Sequence, residues 1–323
     1  MESCRFTTGA IRAEADRHHV TLPRLGRIHS HESTRKLVRR LEQGTARIVS
    51  ATLTRHHDRW HVSFTCEVSR AIVPPRRPMA AIGVDVGVRH LAVLSDGRLV
   101  PNPAPLLQAQ RRLRSLDRQL ARRRGPRAPD GSWRAPSAGW RQTRRRLARE
   151  HARVANVRHN SLHHLTSELV DSFSIIVVER LNVAGLLRNR RLARRLADAG
   201  LGKLRRQLAY KTAWAGTTLV EAGPFYPSSK TCCGCGHVKA KLPLSEREYR
   251  CEHCGMVLDR DLNAARNLAM LVNSSGSEVA GSGPETPTPV DGDARPCTAG
   301  SSSMKREAGT EPLGSDQTGT AGW

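Results

Sequence analysis

With 323 residues the chain is long enough for about two domains and a substantial core, and 53 Lys and Arg against 29 Asp and Glu leave it at a formal +24. The charge is segregated: residues 272–323 hold seven acidic and three basic residues, a net −4, so residues 1–271 carry +28. Such a body repels itself or collects polyanions, which points to nucleic acid. No run of about 18 apolar residues is present to span a bilayer, and MESCRFTTGAIR lacks an apolar signal core. The expected setting is therefore a reducing cytoplasm, beside DNA or RNA.

In chain order, residues 1–73 read as β-rich with one helix. Alternating stretches near 9–14, 17–22, 46–54 and 60–68 suit strands, and HESTRKLVRRLEQG offers a polar cap, helical spacing and a closing Gly44. His56-His57-Asp58 falls between two strand-like runs and suits a hairpin turn. The prolines of IVPPRRP, residues 72–78, mark a linker. AAIGVDVGVRHLAVLSDGRLV, residues 80–100, reads as two or three strands with a turn at Asp96-Gly97; GVDVGV is not G-x-G-x-x-G and implies no dinucleotide site. Helical patterns over 106–124 and 137–172 flank a breaker-rich segment.

Between Arg111 and Arg149 stand 14 Arg and two Asp, an imbalance that suits phosphate contact better than a mixed solvated surface. SIIVVERLNV, residues 174–183, has the β-branched run of a buried parallel strand. A basic helical stretch over 186–214 and the strand TTLVEAG come next, so strands alternate with helices as in an α/β layer structure. The tail 272–323 is Gly/Ser/Thr/Pro-rich and is expected to be disordered. His159 and His163 have i,i+4 spacing without the Glu of a zinc-protease motif, which favours a solvated or base-stacking face.

Cys232, Cys235, Cys251 and Cys254 form C-x2-C-x15-C-x2-C, the spacing at which two tight turns each give two thiolates to one tetrahedral zinc. Four thiolates leave no open position, so the ion is structural. Cys233 and His253 read as bystanders, and Cys4, Cys66 and Cys297 as free thiols. Three acids stand where chemistry can use them. Asp85 interrupts an apolar strand, Glu179 ends another, and Asp261 begins the helix after the cysteines. A charge in such a strand is costly unless a cation meets it. Gathered on one sheet edge, three carboxylates would call for magnesium, and two such ions about 4 Å apart serve phosphodiester cleavage. Each acid also has a plain reading: Glu179 as the ion-pair partner of Arg180 or Arg89, Asp261 as an N-cap. Asp259 competes with Asp261, since two helical positions differ by about 200°.

Taken together, GVDVGVRHLAVLSDG, IIVVERLNVAGLLRNRRLARRLADAGLGKLRRQLAYKTAW and YPSSKTCCGCG…YRCEHCG…DRDLNAARNLA resemble, in order, blocks of the transposon-encoded OrfB/TnpB proteins, relatives of the type V CRISPR effectors. The resemblance spans roughly residues 10–271. It implies an α/β fold: an RNase H-like (RuvC) domain over 79–271 with a zinc ribbon inserted at 229–258. It also implies that 1–73 is part of an oligonucleotide-binding (OB/wedge-like) β-barrel, the sequence beginning partway into that barrel as if N-terminally truncated. By the same resemblance Asp85, Glu179 and Asp261 are the catalytic acids holding two magnesium ions, and Cys232, Cys235, Cys251 and Cys254 are the zinc ligands. The implied activity is metal-dependent DNA cleavage in transposition or recombination. Its implied partners are DNA and a guide RNA encoded by the same element, in a prokaryotic cytoplasm at the nucleoid, with no membrane. A catalytically silent nucleic-acid-binding protein or transposon regulator is the alternative.

Overall fold

A computed structural model of the chain describes residues 3–7, 9–56, 59–125, 129–131, 135–243, 245–274 and 302–304. They divide into two compact units, one built on residues up to 70 with the short strand near residue 303, the other on residues from 71 onward.

In the first unit the strands are β1 (Ser3–Phe6), β2 (Arg12–Ala13), β3 (His19–Leu22), β4 (Gly26–His29), β5 (Ala46–His56) and β6 (Arg59–Val68), with helix α1 (Arg35–Glu42) between β4 and β5. Order β1-β5-β6 forms an antiparallel sheet, which Ser302–Met304 extends beyond β6, and β2-β3-β4 forms a second. Both sheets contribute to one core of Ile11, Leu22, Ala51 and Val62, lined by Phe6, Ile28 and Phe64. Strands β1 and β4 lie outside the stretches expected from alternation because SCRF and GRIH bury little. Thr34 takes the N-cap position of α1 but makes no side-chain cap bond, whereas Gly44 closes it at φ 67°. Of the expected hairpin turn, His57 and Asp58 lie outside the described residues, as does Cys297. The expected disorder of the tail falls likewise on residues outside the description, apart from Ser302–Met304 and the end of the last helix.

The second unit begins with β7 (Arg77–Val86), β8 (His90–Leu94) and β9 (Leu99–Pro101), then helices α2 (Pro105–Arg122) and α3 (Ala138–Ser172). Next come β10 (Phe173–Glu179), α4 (Val183–Leu187), α5 (Ala193–Ala199), α6 (Leu201–Ala215) and β11 (Thr218–Ala222). The chain closes with β12 (Glu248–Arg250), β13 (Val257–Asp259) and α7 (Arg260–Ser274); β14 is the strand Ser302–Met304. The mixed sheet runs β11-β10-β7-β8-β9, with β10 parallel to β7 and β11 and the β7-β8-β9 meander antiparallel. The stretch 186–214, expected to be one helical run, is three helices: residues 188–192 separate α4 from α5, and Gly200 at φ 69° turns the chain between α5 and α6.

Both faces of the sheet are covered, which is why IIVV is apolar without alternation. On one face Ile82, Val84, Ile176 and Val178 pack with Leu162, Leu169, Leu204 and Leu208 of α3 and α6. On the other, Ile175, Val177 and Ala222 pack with Leu268, Leu271 and Val272 of α7. At Gly83 the helix meets the strand backbone to backbone: a Cβ there would lie 1.9 Å from the Ala265 carbonyl oxygen and 2.6 Å from the Ala269 nitrogen. Glycine is required at this crossing for lack of space.

On the α3 side, Asp198 is buried at 4 % exposure and fastens three helices. Its carboxylate accepts from the N–H groups of Leu106 (2.9 Å) and Leu107 (3.3 Å), capping α2, whose own N-cap Ala104 has no side chain to offer. Arg158 of α3 donates to the same carboxylate at 2.8 Å and to the Asp198 carbonyl at 2.8 Å.

Forcing a methyl group into the Gly83 crossing displaces α7, since backbone cannot yield as a side-chain tip does. Gly83→Ala is expected to lower unfolding free energy by about 2–3 kcal/mol, the cost of overpacking a tight contact. Urea denaturation followed by circular dichroism checks this.

Candidate active site and metal ribbon

The parallel register pairs Val177 with Gly83 and Val178 with Val84, so the next step places Glu179 beside Asp85 on adjacent strands about 4.8 Å apart. Side chains alternate across a sheet, so Asp85 follows Gly83, and Glu179 follows Ile175 and Val177, onto the face covered by α7. Asp261 opens α7 one helical turn before Ala265, the residue pressed on Gly83. The charges agree with this placement. Asp85 is pushed up to about 8 by desolvation, then by the nearby charges of Asp261 and Glu179, against the pull of Arg260. Burial also raises Glu179.

Among the described residues no cation lies within ion-pair distance of Asp85, Glu179 or Asp261, so neither Arg180 nor Arg89 neutralises Glu179. Nor do the three carboxylates crowd into one cluster: among the described residues the four cysteines are the only group of three or more potential ligands whose ligand atoms all lie within 4.8 Å of one another. The competition between Asp259 and Asp261 has a local answer. Asp259 Oδ1 accepts from the N–H groups of Asp261 (2.9 Å) and Leu262 (3.1 Å), so Asp259 is the N-cap of α7 and Asp261 is free of that task.

The ribbon that precedes α7 is two matching knuckles. In one, Gly236 N–H bonds to the Cys232 carbonyl (2.9 Å) and Cys232 N–H to the His237 carbonyl (2.8 Å). In the other, Gly255 N–H bonds to the Cys251 carbonyl (3.1 Å) and Cys251 N–H to the Met256 carbonyl (2.8 Å). Each C-x2-C is followed by a glycine in the left-handed region, Gly236 at φ 76° and Gly255 at φ 73°. Across the knuckles, Cys232 and Cys254 sulfurs are 3.6 Å apart and those of Cys235 and Cys251 3.5 Å. A zinc–sulfur bond of about 2.3 Å sets tetrahedral sulfurs about 3.8 Å apart, so the set fits a structural zinc. The Cys254 backbone N–H, with that of His253, pulls the Cys251 thiol down to about 6, favouring the thiolate that a metal needs. Beneath the sulfurs Tyr249 is fully buried, its hydroxyl donating to the Lys230 carbonyl at 3.1 Å.

The sulfur of Cys233 lies outside this cluster, 3.9 Å from the Met256 sulfur, and His253 stacks on His237 with ring centroids 5.9 Å apart. Sequence reasoning missed what joins ribbon to helix. Asn263 accepts from Cys233 N–H (3.0 Å) and donates to the Thr231 carbonyl (2.7 Å). One turn later Asn267 donates to the carbonyls of Ser228 (2.7 Å) and Thr231 (2.6 Å). Both are buried, and the signal was present: amides at i and i+4 on an otherwise apolar helix face. On α3, His159 and His163 meet edge to face with ring centroids 4.2 Å apart. They are half-buried rather than solvated, and desolvation, then Lys211, pushes His163 down to about 4.

An α/β core on a mixed sheet, with a four-cysteine ribbon spliced in before its last helix, is the class these features define. Residues 63–190 match the OrfB family model described as "Probable transposase", and residues 202–268 match "Cas12f1-like, TNB domain". A protein of Mycobacterium tuberculosis bearing the provisional name RNA-guided DNA endonuclease is 42% identical over 279 residues, covering 82% of this chain and 57% of its own length. InsQ of Escherichia coli K12, with the same provisional description, is 29% identical over 282 residues, covering 83% of this chain and 65% of InsQ. The fold is similar to a solved Cas12f1 chain, from a complex with sgRNA and target DNA, at TM-score 0.51 and 18% identity over 74% of this chain and 48% of that one. The chain is thus a relative of the OrfB/TnpB proteins, and it spans 57% and 65% of the length of the two curated relatives described above.

Purified protein is expected to hold one zinc, with Cys251→Ser losing most of it, as read by a chromogenic chelator after thiol release. A second expectation concerns pH. Unfolded His163 takes up a proton near 6.5 while the folded ring resists to about 4, so stability is full above about pH 6.5 and declines below it. His163→Gln should flatten that decline in urea melts at successive pH values.

Proposed function

We propose that the chain is a transposon-associated, metal-dependent and RNA-guided DNA endonuclease of the OrfB/TnpB type. One observation carries the reading: Asp85 and Glu179 side by side beneath the helix whose first turn holds Asp261, with no ion pair among the described residues to neutralise them. In this reading the sheet β11-β10-β7-β8-β9, an antiparallel meander followed by two parallel strands, is an RNase H-like (RuvC) core. Residues 1–73 are then part of an oligonucleotide-binding barrel.

Asp85, Glu179 and Asp261 hold two magnesium ions, and their unmet negative charge is what fits them to the task. When bound, the ions supply an activated water and stabilise the leaving oxygen of a phosphodiester. The chain's own residues set the geometry: β7 and β10 fix two carboxylates in register, and the Asp259 cap with the Gly83 crossing fixes the third. Arginines of α2 and α3 bind phosphates, and the guide and target are RNA and DNA, as the names of the relatives suggest.

A second reading is a catalytically silent nucleic-acid-binding protein, favoured by carboxylates that, among the described residues, do not gather within single-ion spacing. Cleavage of a single-stranded or R-loop DNA with magnesium separates the two. Asp85→Asn is expected to reduce cleavage at least about 100-fold, some 3 kcal/mol of barrier, with DNA affinity retained or raised. Cleavage that persists in this variant removes the catalytic assignment; tight binding with no cleavage by the parent chain supports the silent reading.

A further inference from the structure

Directly past β11 the chain makes a tight turn, Gly223-Pro224-Phe225-Tyr226, closed by Tyr226 N–H on the Gly223 carbonyl at 3.1 Å. Proline second and a positive φ third make this a type II turn, whose third position ordinarily falls to glycine or asparagine. Here it is Phe225, at φ 71°. The ring gains nothing from the fold in return: Phe225 is 100% exposed, while its neighbour Tyr226 packs inward and donates from its hydroxyl to the Asn267 carbonyl at 3.3 Å. The residue therefore combines a left-handed backbone that a side chain disfavours with a large apolar surface left in water. Neither feature serves folding, and a glycine would relieve both.

Its place in the fold indicates what the ring is for. Strand β11 ends at Ala222, which pairs with Glu179 at the end of β10. Phe225 thus projects from the same sheet edge that carries Glu179 and Asp85, three residues beyond the last pairing. The turn is braced on both sides, by Pro224 within it and by Pro227 after it, whose carbonyl accepts from Lys230 (3.0 Å) and Thr231 (3.0 Å) at the root of the ribbon. A rigid turn presenting a bare aromatic face beside an acidic edge, in a chain whose residues 1–271 carry +28, matches the chemistry of a base-stacking platform.

We propose that Phe225 stacks on a nucleobase of a single nucleic-acid strand lying along this edge, positioning that strand for the acids. Stacking itself is independent of the nuclease reading, on which only the subsequent cleavage by the acids rests, and the test omits cleavage. The full chain, in magnesium-free buffer, is irradiated with a single-stranded DNA carrying one 5-iododeoxyuridine, and in parallel with the matching 5-iodouridine RNA, and adducts are mapped by mass spectrometry. An adduct on Phe225 in either arm is expected, the arm showing which strand it takes. Phe225→Gly is expected to lose the adduct and bind the same strand about tenfold more weakly, with a melting temperature equal to or above the parent's. Phe225→Trp should restore binding.

Adducts elsewhere with Phe225 unmodified, or unchanged affinity in Phe225→Gly, would overturn the proposal, as would a lowered melting temperature, which would make the ring a packing element. These outcomes are independent of the Asp85→Asn result: an adduct on Phe225 in a chain whose cleavage ignores Asp85 leaves the platform standing and removes only the catalytic assignment.

Discussion

Everything at the acidic edge depends on how closely α7 approaches β7. Backbone meets backbone at Gly83, with no room for a single methyl group, and that contact sets the height and rotation of the helix over the strand. Two residues along the strand is Asp85, and one turn back along the helix is Asp261. A looser crossing would separate them, and Asp85 would lose the like charge of Asp261 that, after burial, helps hold it near 8. The crossing creates an electrostatic demand that the described residues do not meet with an ion pair, although the chain has 53 Lys and Arg. In a body so rich in arginine, a buried carboxylate without an ion-pair partner among the described residues stands out from the charge pattern, and an external cation is its natural complement.

The ribbon is bound to the same helix by different chemistry. Small metal ribbons have too little apolar interior to orient themselves, and here two buried amides supply the missing direction. Asn263 and Asn267 satisfy a backbone N–H and carbonyl groups of residues 228–233, which a helix of alanine and leucine alone would leave unpaired. The knuckles and the start of α7 therefore move as one piece. Asp259 completes the join, as the last residue of β13 and the cap of α7 at once.

Much of this was legible in the sequence wherever the signal is local. The doubled C-x2-C spacing, the β-branched runs of β7 and β10, and charges in otherwise apolar strands all come from short-range rules. The third acid was not decided by such rules. Asp259 and Asp261 both suit a helix start, and only the direction of two N–H groups distinguishes cap from neighbour. Asp198 was invisible for a related reason: within LLRNRRLARRLADAG an acid looks like one more partner for a solvated arginine, and its actual role is to cap a helix 92 residues earlier. The break between α5 and α6 within 186–214 turned on Gly200, whose left-handed backbone is a tertiary outcome that helical periodicity conceals.

That distant cap bears on how the polypeptide matures. The first turn of α2 has no local partner for its N–H groups, so during synthesis an arginine-laden helix stays incomplete at its start until residue 198 emerges and swings back. Closing so wide a loop is slow compared with helix growth. Until residue 198 has been made the nascent segment is strongly cationic in a cell full of polyanions, and only then can Asp198 close the start of α2 and take its bond from Arg158.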